Sequence, residues 1–362
     1  MALPQAPLPT DCDAITVETL TLLASGNAPG AEAEALLGID PIWGTATKIR
    51  VGVRWNAAGR AAGLPERVLI KGGFAEHRIA MSFLYQHEAH FYDRVQPRIG
   101  VNSPRCFGVA HDDASAQHLV LMEDLDAAGA RFCRVVDPLP IDRVCEFLDI
   151  FAAMHAHTWG GNLLGEGGLW NNLREVAALP VGIPGDYARG QMVPETYARF
   201  MRLPRSLAVS RTFHDIGRMR RAMERIDHVM DGRPHCLVHG DAHMGNLYID
   251  SEDRGGVLDW QCWCRGNWSF DITYFMLSAL DQADRRRSDR ALLAFYLERL
   301  AAHGCPQVPT MREALEAFRI QIAYGLFFWM VNPPDWQTEE NNSAVAARFA
   351  DAALDHGTFD DL

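Results

Sequence analysis

Several features that would place a protein in a special class are missing from these 362 residues. The eight cysteines form no CxxC pair, and the lone Cys-Trp-Cys segment at 262–264 has no matching pair, so we predict reduced thiols. The N-terminus has neither the basic nor the apolar segment of a signal peptide. The longest apolar run, at 326–331, is too short to cross a bilayer. We therefore predict a cytoplasmic protein without a membrane partner.

An excess of positive charge is also missing. The 34 lysines and arginines face 46 aspartates and glutamates, which gives a formal net charge of −12. Nucleic acids and anionic membranes bind basic patches, so neither is expected as a partner. This balance does not argue against ATP, because a metal ion, a lysine and backbone amides hold its phosphates locally. No feature of the sequence predicts a particular oligomeric state.

The chain is longer than a single hydrophobic core usually supports, and 48% of its residues are hydrophobic. These values predict a folded protein with two lobes. No internal repeat is visible.

The most informative stretch extends from Cys236 to Asp271. An apolar run at 236–238 leads into a polar loop that contains Asp241, and Asn246 then opens a short apolar strand at 247–249. Turn residues follow, and a return strand at 257–258 ends at Asp259. This pattern predicts a hairpin.

Antiparallel pairing in this hairpin would bring Asn246 and Asp259 to the same end, with Asp241 in the loop just before them. Two carboxylates and an amide oxygen suit a divalent cation such as Mg²⁺ together with a general base. An alternative is that His239, Asp241 and His243 are metal ligands, since alternate positions on a strand share a face. That alternative explains neither Asn246 nor the hairpin. We interpret His239 as a buried imidazole that holds the loop by hydrogen bonds.

A second candidate pair consists of Lys71 and Glu88. Lys71 ends an apolar strand at 67–71, where a buried ammonium is costly unless it is paired. Apolar residues at helical spacing predict a helix over 78–95, and Glu88 falls on its apolar stripe. A carboxylate that faces a core needs a cation, so Lys71 is its expected partner. Glu76 is a rival partner, although it precedes the helix.

The segment at 239–246 resembles the HGDxHxxN signature of the aminoglycoside phosphotransferase and choline kinase superfamily. Asp259 stands where that superfamily keeps a metal-binding aspartate. The segments at 88–92, 154–159 and 259–261 are similar to the ExxFY, LHAxxW and Asp-Trp-Gln patterns of the ecdysteroid-kinase-like branch. The resemblance covers roughly residues 40–330.

The resemblance implies transfer of the ATP γ-phosphoryl group to a hydroxyl of a small molecule. Lys71, oriented by Glu88, would hold the α- and β-phosphates, while Asn246 and Asp259 would hold Mg²⁺. Asp241 would orient the acceptor hydroxyl and accept its proton.

Further roles follow from the same resemblance. Backbone groups from Glu123 to Leu125 would contact adenine, and Asp271 would brace the loop at 239–241 by accepting backbone hydrogen bonds. A turn that holds Thr45 and Thr47 would cover the phosphates, although an ordinary hairpin turn fits these residues equally well.

The fold implied by the resemblance is α+β, a bilobal protein-kinase-like fold. The N-lobe, residues 1–125, would be an antiparallel sheet with one helix and would bind the nucleotide. The C-lobe, residues 126–362, would be mainly helical and carry the catalytic and acceptor sites, with 162–230 over the acceptor. Three alternatives remain: a catalytically silent kinase-like binding protein, an aminoglycoside-resistance kinase as the substrate variant, and an unrelated metal-dependent hydrolase.

Overall fold

The structure, a computed structural model, describes residues 7–161, 175–176, 189–230 and 232–360. The chain forms two compact units. The first unit consists of Met1–Arg131 and Ile249–Cys262, and the second consists of Phe132–Tyr248 and Trp263–Leu362. The predicted stretch at 162–230 lies partly outside the described residues.

The first unit is built on a five-stranded antiparallel sheet. In spatial order its strands are Ala33–Ile42, Thr47–Trp55, Arg67–Gly72, Gln117–Glu123 and Cys106–Asp112. The second strand alternates between fully and partly buried residues, and the strand Gln117–Glu123 is buried along nearly its whole length. This sheet confirms the α+β class predicted for the N-terminal region.

The sequence did not reveal the first strand, Ala33–Ile42. It lies at the edge of the sheet, most of its residues are partly exposed, and it therefore lacks the alternation that marks a strand. It also contains Pro41, which an edge strand tolerates because its missing N–H can face away from the ladder.

One face of this sheet forms the larger core of the first unit. The buried side chains of Ile49, Val51, Ile70 and Leu121 pack there with Trp55, whose indole Nε1–H donates to the Pro65 carbonyl at 2.9 Å. A helix, Val17–Ala24, belongs to the same core. Alternate residues of the strands supply this core, as a period of two requires.

A helix over 78–95 was predicted, and the structure contains it in two forms. Arg78–His90 is α-helical, Phe91–Val95 continues as a π-helical turn, and Gln96–Ile99 is a short α-helix. Glu88 lies on the buried face of the first segment. Single π turns within helices occur often at functional sites.

Three histidines of the first unit form a cluster. The rings of His90 and His111 lie 4.8 Å apart, and Nδ1 of His111 lies 3.0 Å from Nδ1 of His118. One of these two nitrogens must donate and the other accept, so the contact requires at least one neutral ring. Burial, and then His111, lower the pKa of His118 to about 4.

This cluster should make the first unit sensitive to acid. The folded pKa of His118 lies below the usual 6.5, so the unfolded chain binds the proton first and stability falls between pH 6.5 and 4. We expect a loss on the order of 2–3 kcal/mol over this range. Urea unfolding at several pH values should show a shallower pH dependence for His118→Gln than for wild type. Equal slopes would contradict the assignment.

The second unit is mainly helical, as predicted. Its main helices are Ile141–Thr158, Pro194–Phe200, Ile216–Met230, Ser269–Ala279, Gln282–Ala302, Met311–Val331 and Glu339–Asp355. Two of these helices, Gln282–Ala302 and Glu339–Asp355, begin directly after a capping residue. Asp281 and Thr338 cap these helices, since their side chains accept the N–H groups of Asp284 and Asn341.

A small sheet of the second unit places the polar loop. Cys236–Val238 pairs antiparallel with Cys264–Gly266, which pairs parallel with Glu175–Val176. All three residues of Cys236–Val238 are buried, which fits their apolar character. The polar residues that follow therefore leave the end of a fixed strand.

The helix Met311–Val331 is the one described helix long and apolar enough to cross a membrane. Its most apolar window is 83% buried within the protein. Burial against the other helices accounts for this composition, as in a core helix.

The predicted hairpin after Asn246 is formed by shorter elements. Asn246 ends a 3₁₀ turn, Met244–Asn246, before the strand Leu247–Ile249. The return strand is Gly255–Val257 rather than 257–258. The turn between the strands is closed by a hydrogen bond from the Asp250 N–H to the Arg254 carbonyl at 2.9 Å.

Candidate active site

Lys71 is the centre of a buried charge cluster in the first unit. Its ammonium group lies 2.7 Å from Oε2 and 2.8 Å from Oε1 of Glu88. The same ammonium lies 2.8 Å from Oδ1 of Asp259. The predicted pair is therefore present, and Asp259 is a third member. Glu76, the rival partner, is exposed.

The three side chains differ in their access to solvent. Lys71 is 5% exposed and Glu88 is 2% exposed, whereas the side chain of Asp259 is 20% exposed. Burial alone would lower the pKa of Lys71, but Asp259 and Glu88 raise it above its ordinary value. The lysine is therefore held as an ammonium ion.

The position of Asp259 depends on an unusual backbone. Its φ is 66°, in the left-handed region that L-residues other than glycine rarely adopt. Such a conformation persists where the surroundings enforce it, and it is concentrated at functional sites. The carboxylate of Asp259 thus reaches Lys71 through a backbone shape that is not the local minimum.

Trp260, the residue after Asp259, contacts the helix that carries Glu88 through both its backbone and its ring. Its backbone N–H donates to Oε1 of Glu88 at 3.2 Å, and its ring stacks on Phe91 with centroids 3.9 Å apart. The indole Nε1–H donates to Ser103 at 3.1 Å. Trp260 therefore ties the segment after Asp259 to the helix that carries Glu88, a role that sequence reasoning missed.

The loop between the first two strands is held by its backbone. The Thr45 carbonyl accepts hydrogen bonds from the hydroxyl of Tyr85 at 2.8 Å and lies 3.0 Å from Nε2 of His77. Burial raises the pKa of Tyr85 to about 12, so this hydroxyl keeps its proton. Thr47 is completely buried, and its Oγ1 has no hydrogen-bond partner among the described residues. Contact of these threonines with a nucleotide stays a prediction.

The segment predicted to contact adenine ends the strand Gln117–Glu123. The Glu123 N–H donates to the Arg105 carbonyl at 2.9 Å, and the Leu125 carbonyl accepts from the Ala130 N–H at 2.9 Å. Between them, Asp124 is buried and lies 3.3 Å from the guanidinium of Arg67. The segment thus has a fixed backbone.

In the second unit, Asn246 holds Asp241. Nδ2 of Asn246 donates to the carbonyl of Asp241 at 2.8 Å and to its carboxylate Oδ2 at 3.1 Å. Asn246 is buried, whereas the Asp241 side chain is 26% exposed. The five-residue step predicted from the sequence therefore presents a carboxylate to solvent from a fixed loop.

The base of this loop is held by Asp271, which is fully buried. Its two carboxylate oxygens accept the backbone N–H groups of His239 at 2.6 Å and Gly240 at 3.0 Å. These are the hydrogen bonds expected of Asp271. His239 is also buried, and its Nδ1 accepts the N–H of Asp241 at 3.2 Å.

His155 supports the same carboxylate and was missed as a site residue. Its Nε2 lies 3.3 Å from Asp271 and its Nδ1 lies 2.8 Å from the hydroxyl of Tyr296. The segment at 154–159 carried the available signal, because it resembled a family pattern.

The ring nitrogens of the loop argue against a transition-metal site. Nδ1 of His243 accepts the N–H of Gly245 at 3.0 Å, just as Nδ1 of His239 accepts that of Asp241. Within the described part of the chain, no group of three or more His, Cys, Asp or Glu side chains could hold a metal ion. The alternative ligand set of His239, Asp241 and His243 thus has no geometric support.

Comparison with known proteins identifies the family of this chain. A model of the phosphotransferase enzyme family matches residues 84–313, well over half of the chain. The chain belongs to the phosphotransferase enzyme family. The matched range contains Glu88, Asp241, Asn246 and Asp259, whereas Lys71 precedes it. A sequence search against curated proteins finds no match.

Solved structures of the family's fold resemble this phosphotransferase over nearly its whole length. A candidate aminoglycoside phosphotransferase from Ralstonia eutropha JMP134 has a TM-score of 0.55 at 16% identity, over 94% of this chain and 98% of that chain. Choline kinase from Cryptosporidium parvum Iowa II has a TM-score of 0.54 at 10% identity, over 95% and 98%. A spectinomycin phosphotransferase in complex with ADP and spectinomycin has 0.52 at 11%, over 95% and 99%. These likenesses confirm the kinase-like fold; membership of the ecdysteroid-kinase-like branch stays a prediction.

Proposed function

We propose that this phosphotransferase is a small-molecule kinase that transfers the γ-phosphoryl group of ATP to a hydroxyl of its acceptor. The observation that carries the proposal is the buried set of Lys71, Glu88 and Asp259, in which an ammonium is fixed between two carboxylates. Burying such a set of charges is unfavourable. A binding protein without catalytic activity would gain nothing from it. It therefore favours a kinase over a silent relative.

The donor would be bound by the first unit. Lys71 would contact the α- and β-phosphates, held in place by Glu88. Backbone groups from Glu123 to Leu125 would contact the adenine edge, and the Thr45–Thr47 turn would cover the phosphates. The division into a nucleotide-binding region at 1–125 and a catalytic, acceptor-binding region at 126–362 is part of this proposal.

The residues available suit Mg²⁺ as the metal. Asp259 offers a partly exposed carboxylate. Nδ2 of Asn246 donates to Asp241, so its Oδ1 would be the atom that binds the metal. Carboxylate and amide oxygens are the hard donors that Mg²⁺ takes, together with phosphates and water. The ion would neutralise charge on the phosphates when bound.

Asp241 would act on the acceptor. The hydrogen bond from Asn246 orients its carboxylate, and Asp271 fixes the backbone on which it lies. The carboxylate would accept a hydrogen bond from the acceptor hydroxyl and take its proton as the new P–O bond forms. Because the transition state of such transfers is loose, positioning of the hydroxyl supplies most of the rate.

The test is turnover of ATP with Mg²⁺ against a panel of hydroxylated small molecules, including aminoglycosides, amino alcohols and apolar alcohols. We expect acceptor-dependent release of ADP and a product heavier by one phosphoryl group, measured by mass spectrometry. Nucleotide binding without turnover of any acceptor would favour the silent binding protein instead.

The metal assignment predicts that substitutions of Asp259 and of His243 have different effects on the Mg²⁺ requirement. Asp259→Asn should raise the Mg²⁺ concentration needed for ADP binding by roughly tenfold or more, since it removes a charged ligand. His243→Gln should change this requirement far less, because the His243 ring nitrogen Nδ1 is engaged by the Gly245 N–H.

Calorimetric titration of ADP at increasing Mg²⁺ measures this requirement without turnover. Loss of a tightly bound transition metal in His243→Gln, detected by elemental analysis, would support the histidine ligand set and count against Mg²⁺.

A further inference from the structure

Lysine is the rarest charged residue of this chain. Among its 34 lysines and arginines, Lys48 and Lys71 are the only lysines. They lie directly opposite each other on the neighbouring strands Thr47–Trp55 and Arg67–Gly72. Opposed residues of an antiparallel pair project from the same face with Cβ atoms about 4.5–5.5 Å apart. The whole lysine complement is therefore concentrated at one place in the sheet.

This arrangement is unfavourable unless something compensates it. Like charges directly opposite each other on a sheet are destabilising. Lys48 is half-buried, and within the described ranges its ammonium group has no hydrogen-bond or ion-pair partner. Burial, and then Lys71, lower the pKa of Lys48. Lys48 is thus a half-buried ammonium without a direct hydrogen-bond partner, and the attraction of Asp259 and Glu88 offsets the lowering of its pKa only in part.

Lys71, in contrast, already has carboxylate partners, and it can contact a phosphate only by exchanging one of them. An ammonium group has three N–H donors, and three carboxylate oxygens lie within 2.8 Å of Nζ. Together, Lys71, Glu88 and Asp259 carry one net negative charge, which would repel a phosphate chain. Lys48 supplies a second positive charge and three further donors beside this cluster.

We propose that Lys48 is a second phosphate-binding lysine, whose ammonium group binds the anionic phosphate chain of the nucleotide beside Lys71. This inference rests on the proposed function, because it deepens the donor site. The residue type fits the role, since lysine presents a compact point charge on a flexible stem, whereas arginine presents a planar fork. A compact group is the one that fits next to a second ammonium.

A purely structural role makes the opposite prediction for stability. If Lys48 only balanced the charges of Glu88 and Asp259, its loss would destabilise the free protein. If Lys48 instead serves to bind a phosphate, its loss should leave the nucleotide-free protein equally or more stable. Lys48→Met removes the charge and keeps the length, and Arg54→Met on the exposed side of the same strand is the matched control.

We expect Lys48→Met to weaken ADP binding by roughly 10- to 100-fold, as the loss of a charged hydrogen bond does. Binding of adenosine, which has no phosphate, should be unchanged, and Lys48→Arg should retain part of the ADP affinity. The Tm of the free variant should equal or exceed that of wild type. A lowered Tm with wild-type ADP affinity would overturn the proposal, as would an equal loss for ADP and adenosine.

Failure of the donor site as a whole gives a different result, in which wild type itself binds no ADP. A second measurement needs no variant. Treatment with an N-hydroxysuccinimide acetate ester, followed by mass spectrometry, can modify only two lysines and the N-terminus. We expect Lys48 to be acetylated in the free protein and protected by ADP, while Lys71 is unreactive in its ion pairs. Acetylation of Lys48 at the same rate with and without saturating ADP would overturn the proposal.

Discussion

Asp241→Asn is expected to bind ADP as wild type does and to lower kcat by at least about 100-fold. The amide keeps the size of the carboxylate, and its oxygen can still accept the hydrogen bond that Asn246 donates at 3.1 Å. The loop should therefore stay in place, held from below by Asp271. What is lost is the ability to take a proton from the acceptor hydroxyl.

The measurement is steady-state turnover with an acceptor found in the panel, together with calorimetric titration of ADP. Asp335→Asn is the matched control, since it removes one carboxylate from an exposed position in the same unit. We expect the control to retain wild-type kcat. Wild-type turnover of Asp241→Asn would remove Asp241 from the proposed mechanism, and a parallel loss of ADP affinity would assign it to the donor instead.

The local chemistry of the site could be predicted from the sequence because it depends on residues that are close together in the chain. Asp241 and Asn246 are five residues apart, and one loop brings them together. Glu88 was found because a carboxylate on the apolar stripe of a helix demands a cation. The strand that ends at Lys71 supplied the obvious candidate, and the structure contains that ion pair.

Contacts between distant segments could not be predicted in the same way. Asp259 contacts Lys71 although the two residues lie 188 positions apart in the sequence. The contact depends on a left-handed backbone conformation at Asp259, which no local sequence pattern predicts. His155 reaches Asp271 across 116 residues. Such contacts depend on how the elements pack, and periodicity within one element carries no information about its partner.

The pairing of Lys48 with Lys71 was hidden for a related reason. Each lysine lies near the end of its own strand, and only the register of the two strands makes them neighbours. Register depends on the connection between strands and on which face is buried. The sequence shows that the chain has only two lysines, but only the structure shows that both lie at one site.

The second large effect is expected at the cluster of Lys71, Glu88 and Asp259. Lys71→Met leaves two carboxylates without their cation, and one of them, Glu88, is almost completely buried. Breaking a buried pair in this way costs about 3–5 kcal/mol, because a charge is left uncompensated. Lys71→Met should therefore be strongly destabilised and should lose nucleotide binding. Arg54→Met on the neighbouring strand should lose at most about 1 kcal/mol, because Arg54 and its partner Glu34 are both exposed.

The decisive variant is the double substitution Lys71→Met with Glu88→Gln. The second change removes the charge that the first leaves buried, so the double variant should be more stable than Lys71→Met alone, although equally inactive. Urea unfolding of the wild type, both single variants and the double variant gives the coupling free energy, which should be at least about 1 kcal/mol for residues in direct contact. Additive losses would mean that the two charges do not depend on each other. Recovery of stability without recovery of ADP binding would indicate that the Lys71–Glu88 pair serves nucleotide binding rather than folding.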